Sequence, residues 1–540
     1  MKKLTCLVLN RFCWFICLSL LNITGFSQIY NVKDYGATGN KDQNAQQAIQ
    51  KTIDACASKG GGTVYLPVGD YTSGTIHLKS NIRFYIEAGA TLYSIKDSNA
   101  FNKAKPALIF GEDLHDISIE GRGTVNGQAA YDWKLNYIQD DLIRANFEAE
   151  TATGKPLMRS FPKNDQYGHL IMLINCENVR IEGVSLINSP SWTLRPIHCR
   201  QLVIDGINIY TSTKYAVWAD GIDPDGCQHV RINNCNVETG DDALVLWSMD
   251  WFGPAQTCED ITVTNCRFTS ASCGIKFCDG NIGGIKHVTI SNCVIIGSNR
   301  GIGFMDYYGG EVSDVILSNL NISCIRYDWF WWGDGDPLYF DVRKRSEVSK
   351  GLDPKLDTKA GKIKRVLITN VIANGKGSSM CLGHPESWME DITLDNFKLY
   401  ISHDTASDYD KAVYALKFRY VKNLTLRNVD IYWGTPPAPK WSSALYLQDI
   451  DGLKLDGINV RQAKIGTTTP AVLFEQVQNA TIKNCDAQAG TGTYLGLTGD
   501  KTKNILIYNN DFSNVKTPYT FDPPIAPAAI RSEMNVNPKP

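Results

Sequence analysis

The sequence predicts an all-β chain wound into a right-handed parallel β-helix, with one amphipathic helix capping its N-terminal end. Three observations carry this. A short motif recurs along most of the chain, apolar residues alternate with period two inside each copy, and β-branched residues fill places where a helical solenoid would need a 3.6-residue apolar repeat. The motif reads apolar, any, apolar, any, Asn, Cys. It is complete at Val230–Cys235, Ile261–Cys266 and Val288–Cys293, and looser at Val315–Asn319, Val366–Asn370, Ile392–Asn396, Leu424–Asn428, Ala480–Cys485 and Ile505–Asn509. Ile117–Gly121, Val179–Gly183, Leu202–Gly206 and Leu453–Gly457 end on glycine instead. Copies often fall about 23 to 32 residues apart, the spacing of a solenoid with one such strand per turn.

Each part of the motif has a physical reading. Alternation gives a strand with one buried face. Asn or Gly after the strand tolerates positive φ, the conformation that bends a chain sharply out of a sheet. Asn side chains stacked at the strand spacing of about 4.8 Å can also hydrogen-bond from coil to coil. Cys176, Cys235, Cys266, Cys293 and Cys485 then read as small buried apolar residues rather than as disulfides, a framework that belongs to short exported domains.

In chain order, Lys2, Lys3 and Arg11 precede an apolar stretch from Phe12 to Leu21 and then Gly25-Phe26-Ser27. This fits a signal peptide over residues 1–27, so the expectation is a secreted or periplasmic chain starting at Gln28, with no membrane segment after cleavage. Residues 28–540 are expected to form a single monomeric solenoid domain. Asn44 to Ala57 places Ala45, Ala48, Ile49, Ile53, Cys56 and Ala57 at helical spacing and stops before Gly60-Gly61-Gly62, which suits the cap that a solenoid needs on its first coil. Two interruptions, near 129–165 and 326–361, are long enough to wall a groove. Net charge is −2, with no basic cluster, which argues against a nucleic-acid partner.

The densest acidic cluster is Asp220-Gly221-Ile222-Asp223-Pro224-Asp225, followed by Gly240-Asp241-Asp242. Asp220 lies about one coil from Asp241 and Asp242, so the fold should stack these three acids on neighbouring strands. Mutual repulsion and burial would raise at least one pKa, the condition for a general acid near neutral pH. An inverting glycosidase needs carboxyl groups about 6.5 to 9.5 Å apart, which a coil rise with a lateral offset can supply. Asp223 and Asp225, beside Pro224 and Gly226, read as turn formers. Calcium binding is the competing use of such a cluster.

These acids, together with Val32-Lys33-Asp34-Tyr35-Gly36-Ala37-Thr38-Gly39, Gly61-Gly62-Thr63-Val64 and Leu66-Pro67, resemble glycoside hydrolase family 28, the polygalacturonase group on the pectin-lyase-like solenoid. Glu390 to Ile401 resembles bacterial members that attack chain ends. The resemblance implies that Asp241 protonates the leaving oxygen while Asp220 and Asp242 hold and deprotonate the attacking water, with inversion and with no metal or organic cofactor. It implies a plant or algal polysaccharide or oligosaccharide as the partner, and the two insertions favour action at chain ends.

The chain departs from the family pattern at two places. Ser272-Cys273-Gly274 stands where the family has Gly-His-Gly, and Gly303-Phe304-Met305 where it has Arg-Ile-Lys. Lys276 and Arg300 are the remaining cations near the cleft, and Trp331 and Trp332 in the second insertion are candidates to stack on sugar rings. A Gly and a Met in place of two cations predict a more apolar, roomier surface and a substrate other than plain polygalacturonate. A polysaccharide lyase on the same fold and a non-catalytic carbohydrate-binding protein remain as alternatives.

Overall fold

The computed structural model describes residues 28–129, 133–137, 158–162, 168–327, 333–348, 359–403, 412–523, 525 and 527–538. The signal-peptide expectation for 1–27, and Trp331 and Trp332, lie outside these residues. The described chain is a parallel β-helix of three strand columns. In the first column Ile181, Ile204, Val230-Arg231-Ile232, Ile261, Val288, Val315, Val366, Ile392 and Leu424 fall on parallel registers from coil to coil. The second column runs through Leu186, Ile209, Val237 and Phe268. The third runs through Leu194, Ile222, Leu244, Ile275, Ile302 and Leu338, and it carries the acids.

The motif's turn residue behaves as its chemistry requires. Asn234, Asn265, Asn292, Asn319, Asn370, Asn396, Asn428, Asn484 and Asn509 all have positive φ, as do Gly121, Gly183, Gly206 and Gly457. Asn319 donates to Asn292 at 3.0 Å, Asn370 to Asn319 at 3.1 Å and Asn396 to Asn370 at 2.8 Å, so the amides form a ladder along the solenoid. A second left-handed column precedes the same strands at His229, Asp260, His287, Asp314, Arg365, Asp391 and Asn423. Its mixed residue types leave no repeated letter in the sequence.

The core is the stack of inward strand faces. All thirteen described cysteines are free and buried, including Cys176, Cys235, Cys266, Cys293 and Cys485. Beneath the third column, Phe277, Phe304 and Phe340 stack with ring centroids 4.1 and 4.2 Å apart. Each contributes about 1.5 to 3 kcal/mol by burial and stiffens the floor under the acids. The capping helix spans Gln46–Ser58 and buries Ala48, Ile49, Ile53 and Cys56. It also buries Thr52, whose hydroxyl donates to the Ala48 carbonyl at 2.8 Å and so removes the cost of a polar group on the apolar stripe.

The insertions differ in kind. The first sits in a coil whose stacked Asn178 and Asp116 are 62 residues apart, and it contains an antiparallel pair, Trp133–Tyr137 with Met158–Pro162. The second is not all loop. Asp336–Val342 lies inside it and forms a full rung of the third column, parallel to Arg300–Asp306 on one side and to Ser379–Leu382 on the other. Its alternating Leu338 and Phe340 were masked in the sequence by the flanking charges. Among the described residues, no helix is long and apolar enough to cross a membrane.

Candidate active site

Asp220 and Asp242 reach the same face because they occupy the same register on adjacent rungs. The Gly221 amide donates to the Asp242 carbonyl at 2.9 Å, Ile222 pairs with Leu244, and the Ala243 amide donates to the Cys273 carbonyl at 2.9 Å. Gly221 and Gly240 permit this closeness. A Cβ at Gly221 would run into the Ala243 carbonyl, and one at Gly240 into the carbonyls of Ser212 and Ala216. Asp241 is held from both sides: Oδ2 accepts the Trp218 amide at 2.9 Å and Oδ1 accepts the Asp242 amide at 3.0 Å. Trp218 makes its bond from a left-handed backbone, φ 72, which a bulky residue adopts only under constraint.

One carboxylate oxygen from each of Asp220, Asp241 and Asp242 lies within 4.8 Å of the others. The acids are therefore brought together on neighbouring rungs, as expected, and in-register stacking leaves one strand spacing between Asp220 and Asp242. Such spacing also suits a hard divalent cation. Lys276 supplies a competing positive charge there, with Nζ 2.9 Å from Asp242 and 3.5 Å from Asp279.

Burial pushes Asp220 well above the usual carboxylate range, and the neighbouring Asp241, Asp223 and Asp242 add to it while Lys276 opposes it. Asp223 is pushed up to about 8 by burial, although the Trp247 indole, Asp220 and Arg195 each favour its charged form. Asp220 Oδ1, Asp223 Oδ2 and Asp242 Oδ1 are buried without a hydrogen-bond partner in the protein. Three orphaned acceptors on one small surface are an energetic cost that a water or a sugar hydroxyl can relieve.

Asp223 and Asp225 are not turn residues. Their segment forms a rung of the third column, with Asp225 bridging Ile197 and Trp247, and both side chains are buried. Asp223 Oδ1 accepts the Trp247 indole N–H at 3.2 Å, and Asp225 Oδ1 accepts the Met249 amide at 2.9 Å. The Pro and Gly beside them suggested a turn, but parallel rungs on both sides hold the segment extended.

Lys276 is brought to the acids. Arg300 lies two rungs away, with Nε 3.4 Å from Asp336 and its guanidinium 3.8 Å over the Tyr339 ring. Gly303 shares the outward register of Lys276 and Tyr339, yet the surface there is not roomy. A Cβ at Gly303 would lie 3.1 Å from both Cys273 Sγ and Met305 Cε. Met305 and the thiol fill the space that a glycine in place of a cation is expected to open.

On the opposite flank, one rung before Asp220, stands a group that the sequence reading missed. Arg195 projects among His169, Trp192, Trp251 and Phe252, with Trp247 packed behind. Trp192, Trp247 and Trp251 contact one another with centroids 5.1 to 5.8 Å apart. The available signal was a cluster of Trp residues that recur at the ends of third-column strands.

The family model described as glycosyl hydrolases family 28 matches residues 56–329, just over half of the chain. A probable polygalacturonase of Vitis vinifera is 27% identical over 235 residues, covering 40% of this chain and 43% of that protein. The chain spans about half the length of the curated relatives it matches. Among solved structures, a hyperthermoactive exopolygalacturonase from Thermotoga maritima aligns with TM-score 0.59 at 20% identity, over 75% of this chain and 92% of that one. A family 28 exopolygalacturonase of Yersinia enterocolitica gives 0.60 at 18%, over 80% and 79%. These two likenesses establish the shared solenoid, and the match over residues 56–329, which contain all three acids, places this chain in glycosyl hydrolases family 28.

Proposed function

We propose that this protein is an exported, inverting glycoside hydrolase that trims the ends of a pectin-like plant or algal glycan. The observation that carries it is the convergence of Asp220, Asp241 and Asp242 on one face, with one oxygen of each within 4.8 Å. Hydrolysis needs a proton for the leaving oxygen and a base for water. Burial holds Asp220 well above the usual carboxylate range, so a proton-bearing carboxyl stands beside Asp241, which the resemblance makes the acid. Asp242, held by the Lys276 ammonium, takes the proton of the attacking water.

Action at chain ends is supported by the long coil that carries the first insertion and by the names of the exo-acting relatives. Gly303 and Met305, in place of two family cations, support a neutral or deoxy sugar at the cleavage point. Export rests on the charged and apolar leader, and N-terminal sequencing of the exported protein should begin at Gln28.

The deciding experiment incubates purified protein with polygalacturonate and with oligosaccharides ending in galactose, rhamnose or related neutral sugars, and identifies released sugars by mass. Release of single neutral sugars supports the reading; hydrolysis of polygalacturonate alone overturns the substrate part. Proton magnetic resonance of the first product tests inversion: a product that retains its anomeric configuration overturns it. A lyase reading draws on the same spacing as a cation site; an unsaturated product absorbing in the ultraviolet would establish it instead.

A further inference from the structure

We propose that Asp279 is a positioning residue that holds the Lys276 ammonium against Asp242, and that the second insertion reaches the reaction through it. Arg345, Asp279, Lys276 and Asp242 then form one file of alternating charges from the insertion to the acid cluster. The inference rests on the hydrolase reading for the role of Asp242 and deepens it, since it names what sets the place of the neighbouring cation.

Lys276 and Asp279 leave the same strand, Cys273–Asn281, three residues apart. Regular alternation would send them to opposite faces of the sheet. The strand is irregular between them and its end, because Leu246 pairs with Phe277 while Ser248 pairs with Asn281, so extra residues bulge out of the ladder. A bulge beside a site re-aims a side chain, and here it returns Asp279 to Lys276. Gly280 lets the bulge lie against Trp247, where a Cβ would come within 2.7 Å of the indole. Lys276 Nζ consequently stands between two acids, 2.9 Å from Asp242 and 3.5 Å from Asp279.

An ammonium on a flexible four-carbon stem needs more than one anchor to stay in place. The second carboxylate supplies that anchor and also takes a share of the charge, which leaves Asp242 able to draw the proton of a water. Asp279 is itself held. Cys278 Sγ donates to its Oδ1 at 2.9 Å, and burial pushes that thiol well above its usual range, so it keeps its proton. Arg345 Nη1 lies 3.8 Å from Oδ2. Against the cost of burial, Lys276, the Cys278 thiol and Arg345 keep Asp279 below the usual carboxylate range. The groups around the file carry no competing charge near neutral pH: burial raises Asp306, Tyr307 and Tyr308 beside Asp279, as it raises Asp220 and Cys273 beside the ammonium. Arg345 opens the short helix Arg345–Val348, and this segment is pinned to the third column by Arg343 Nε at 2.8 Å from Asp341 and by Glu347 at 3.1 Å from His384.

The test makes Asp279→Asn, Asp279→Glu and Arg345→Gln in the full chain and reads each in two ways. The first needs no turnover: native protein is treated with acetic anhydride, and acetylation of Lys276 is followed by peptide mass mapping. Lys276 should be protected in the wild type, several times more reactive in Asp279→Asn, and protected again in Asp279→Glu. The second is the pH profile of kcat on the best substrate. Asp279→Asn should lower kcat about tenfold with KM within about twofold, and Asp279→Glu should restore part of it. With the ammonium acting on Asp242 alone, the acidic limb in Asp279→Asn should move to lower pH by about half a unit to one unit. Arg345→Gln leaves Asp279 with more of its charge and should move that limb the other way, by less.

Unchanged labelling of Lys276 in Asp279→Asn, an acidic limb that does not move, or shifts of the same sign in Asp279→Asn and Arg345→Gln would each overturn the file. If the labelling behaves as expected while wild-type protein hydrolyses nothing, Asp279 stands as the residue that holds Lys276 and the hydrolase reading falls. If hydrolysis is present while labelling and limb stay fixed, the reverse holds.

Discussion

The two flanks of the acid cluster hold their cations in opposite ways. On the later rungs, Lys276 is tied to Asp242 and Asp279, Arg300 to Asp336, and Arg345 lies 3.8 Å from Asp279. On the earlier rung, Arg195 is caged by aromatic rings. A paired cation orients the protein's own carboxylates, and its charge is already spent on them. The caged cation is stabilised from a longer distance by Asp225, Asp223 and Asp220, without closing on any of them. The strand column is the same on both sides; what differs is that Lys276 and Arg300 each close on a carboxylate, whereas Arg195, with Asp223 on the next rung, has indole faces as its nearest partners.

The largest effect expected from breaking this arrangement falls on the acids between the flanks. Asp241→Asn and Asp242→Asn should each lower turnover by about 10² to 10⁴ with little loss of stability, and a change below tenfold at both, measured on the best substrate, would remove them from the chemistry.

The flanks themselves should separate in stability. Lys276→Met strands a buried carboxylate and should cost about 3 kcal/mol in urea unfolding. Arg195→Met loses stacking on indole and should cost about 1 kcal/mol. An equal or reversed order would mean that both cations serve the same structural purpose.

Titration sharpens the contrast further. Asp223, at about 8 in the folded state, binds a proton more tightly there than unfolded, so the stability it contributes is full at low pH and is lost as pH rises towards 8. His169 acts in the opposite sense, but its contribution is complete by about 6.5, the ordinary histidine value. Between about 6.5 and 8 the melting temperature should therefore fall with pH, and Asp223→Asn should flatten that slope. A wild-type melting temperature level across this window would count against a buried, proton-bearing cluster.

The smallest effect belongs to the solenoid body, far from either flank. Asn370→Ala removes two ladder hydrogen bonds and places a Cβ-bearing residue without a polar side chain at φ 55, for about 1 to 2 kcal/mol. Asn370→Gly keeps the left-handed turn and should cost less. Activity should be the same in both, read at a temperature where each is folded.

How much was legible follows from where the information is local. The motif at Val230–Cys235 and its copies revealed strand, turn residue and buried cysteine, because alternation and positive φ are properties of a few consecutive residues. Asp220, Asp241 and Asp242 could be placed together because one coil separates them, and a regular repeat converts sequence distance into spatial adjacency. Asp336–Val342 is hidden among charged flanks, and Asp223 reads as a turn residue beside its proline, since strand identity there comes from the rungs above and below.

The sequence by itself determined the solenoid, its left-handed corners and the three-acid cluster. Only the tertiary structure decided that Lys276 is spent on Asp242, that Met305 and Cys273 fill the space at Gly303, and that Arg195 stands caged among Trp192, Trp251 and His169. A local pattern sets which face of a strand a residue occupies. Whether its charge is neutralised depends on the residue one coil away and on the turns that close over it, and no periodicity in the chain encodes that pairing.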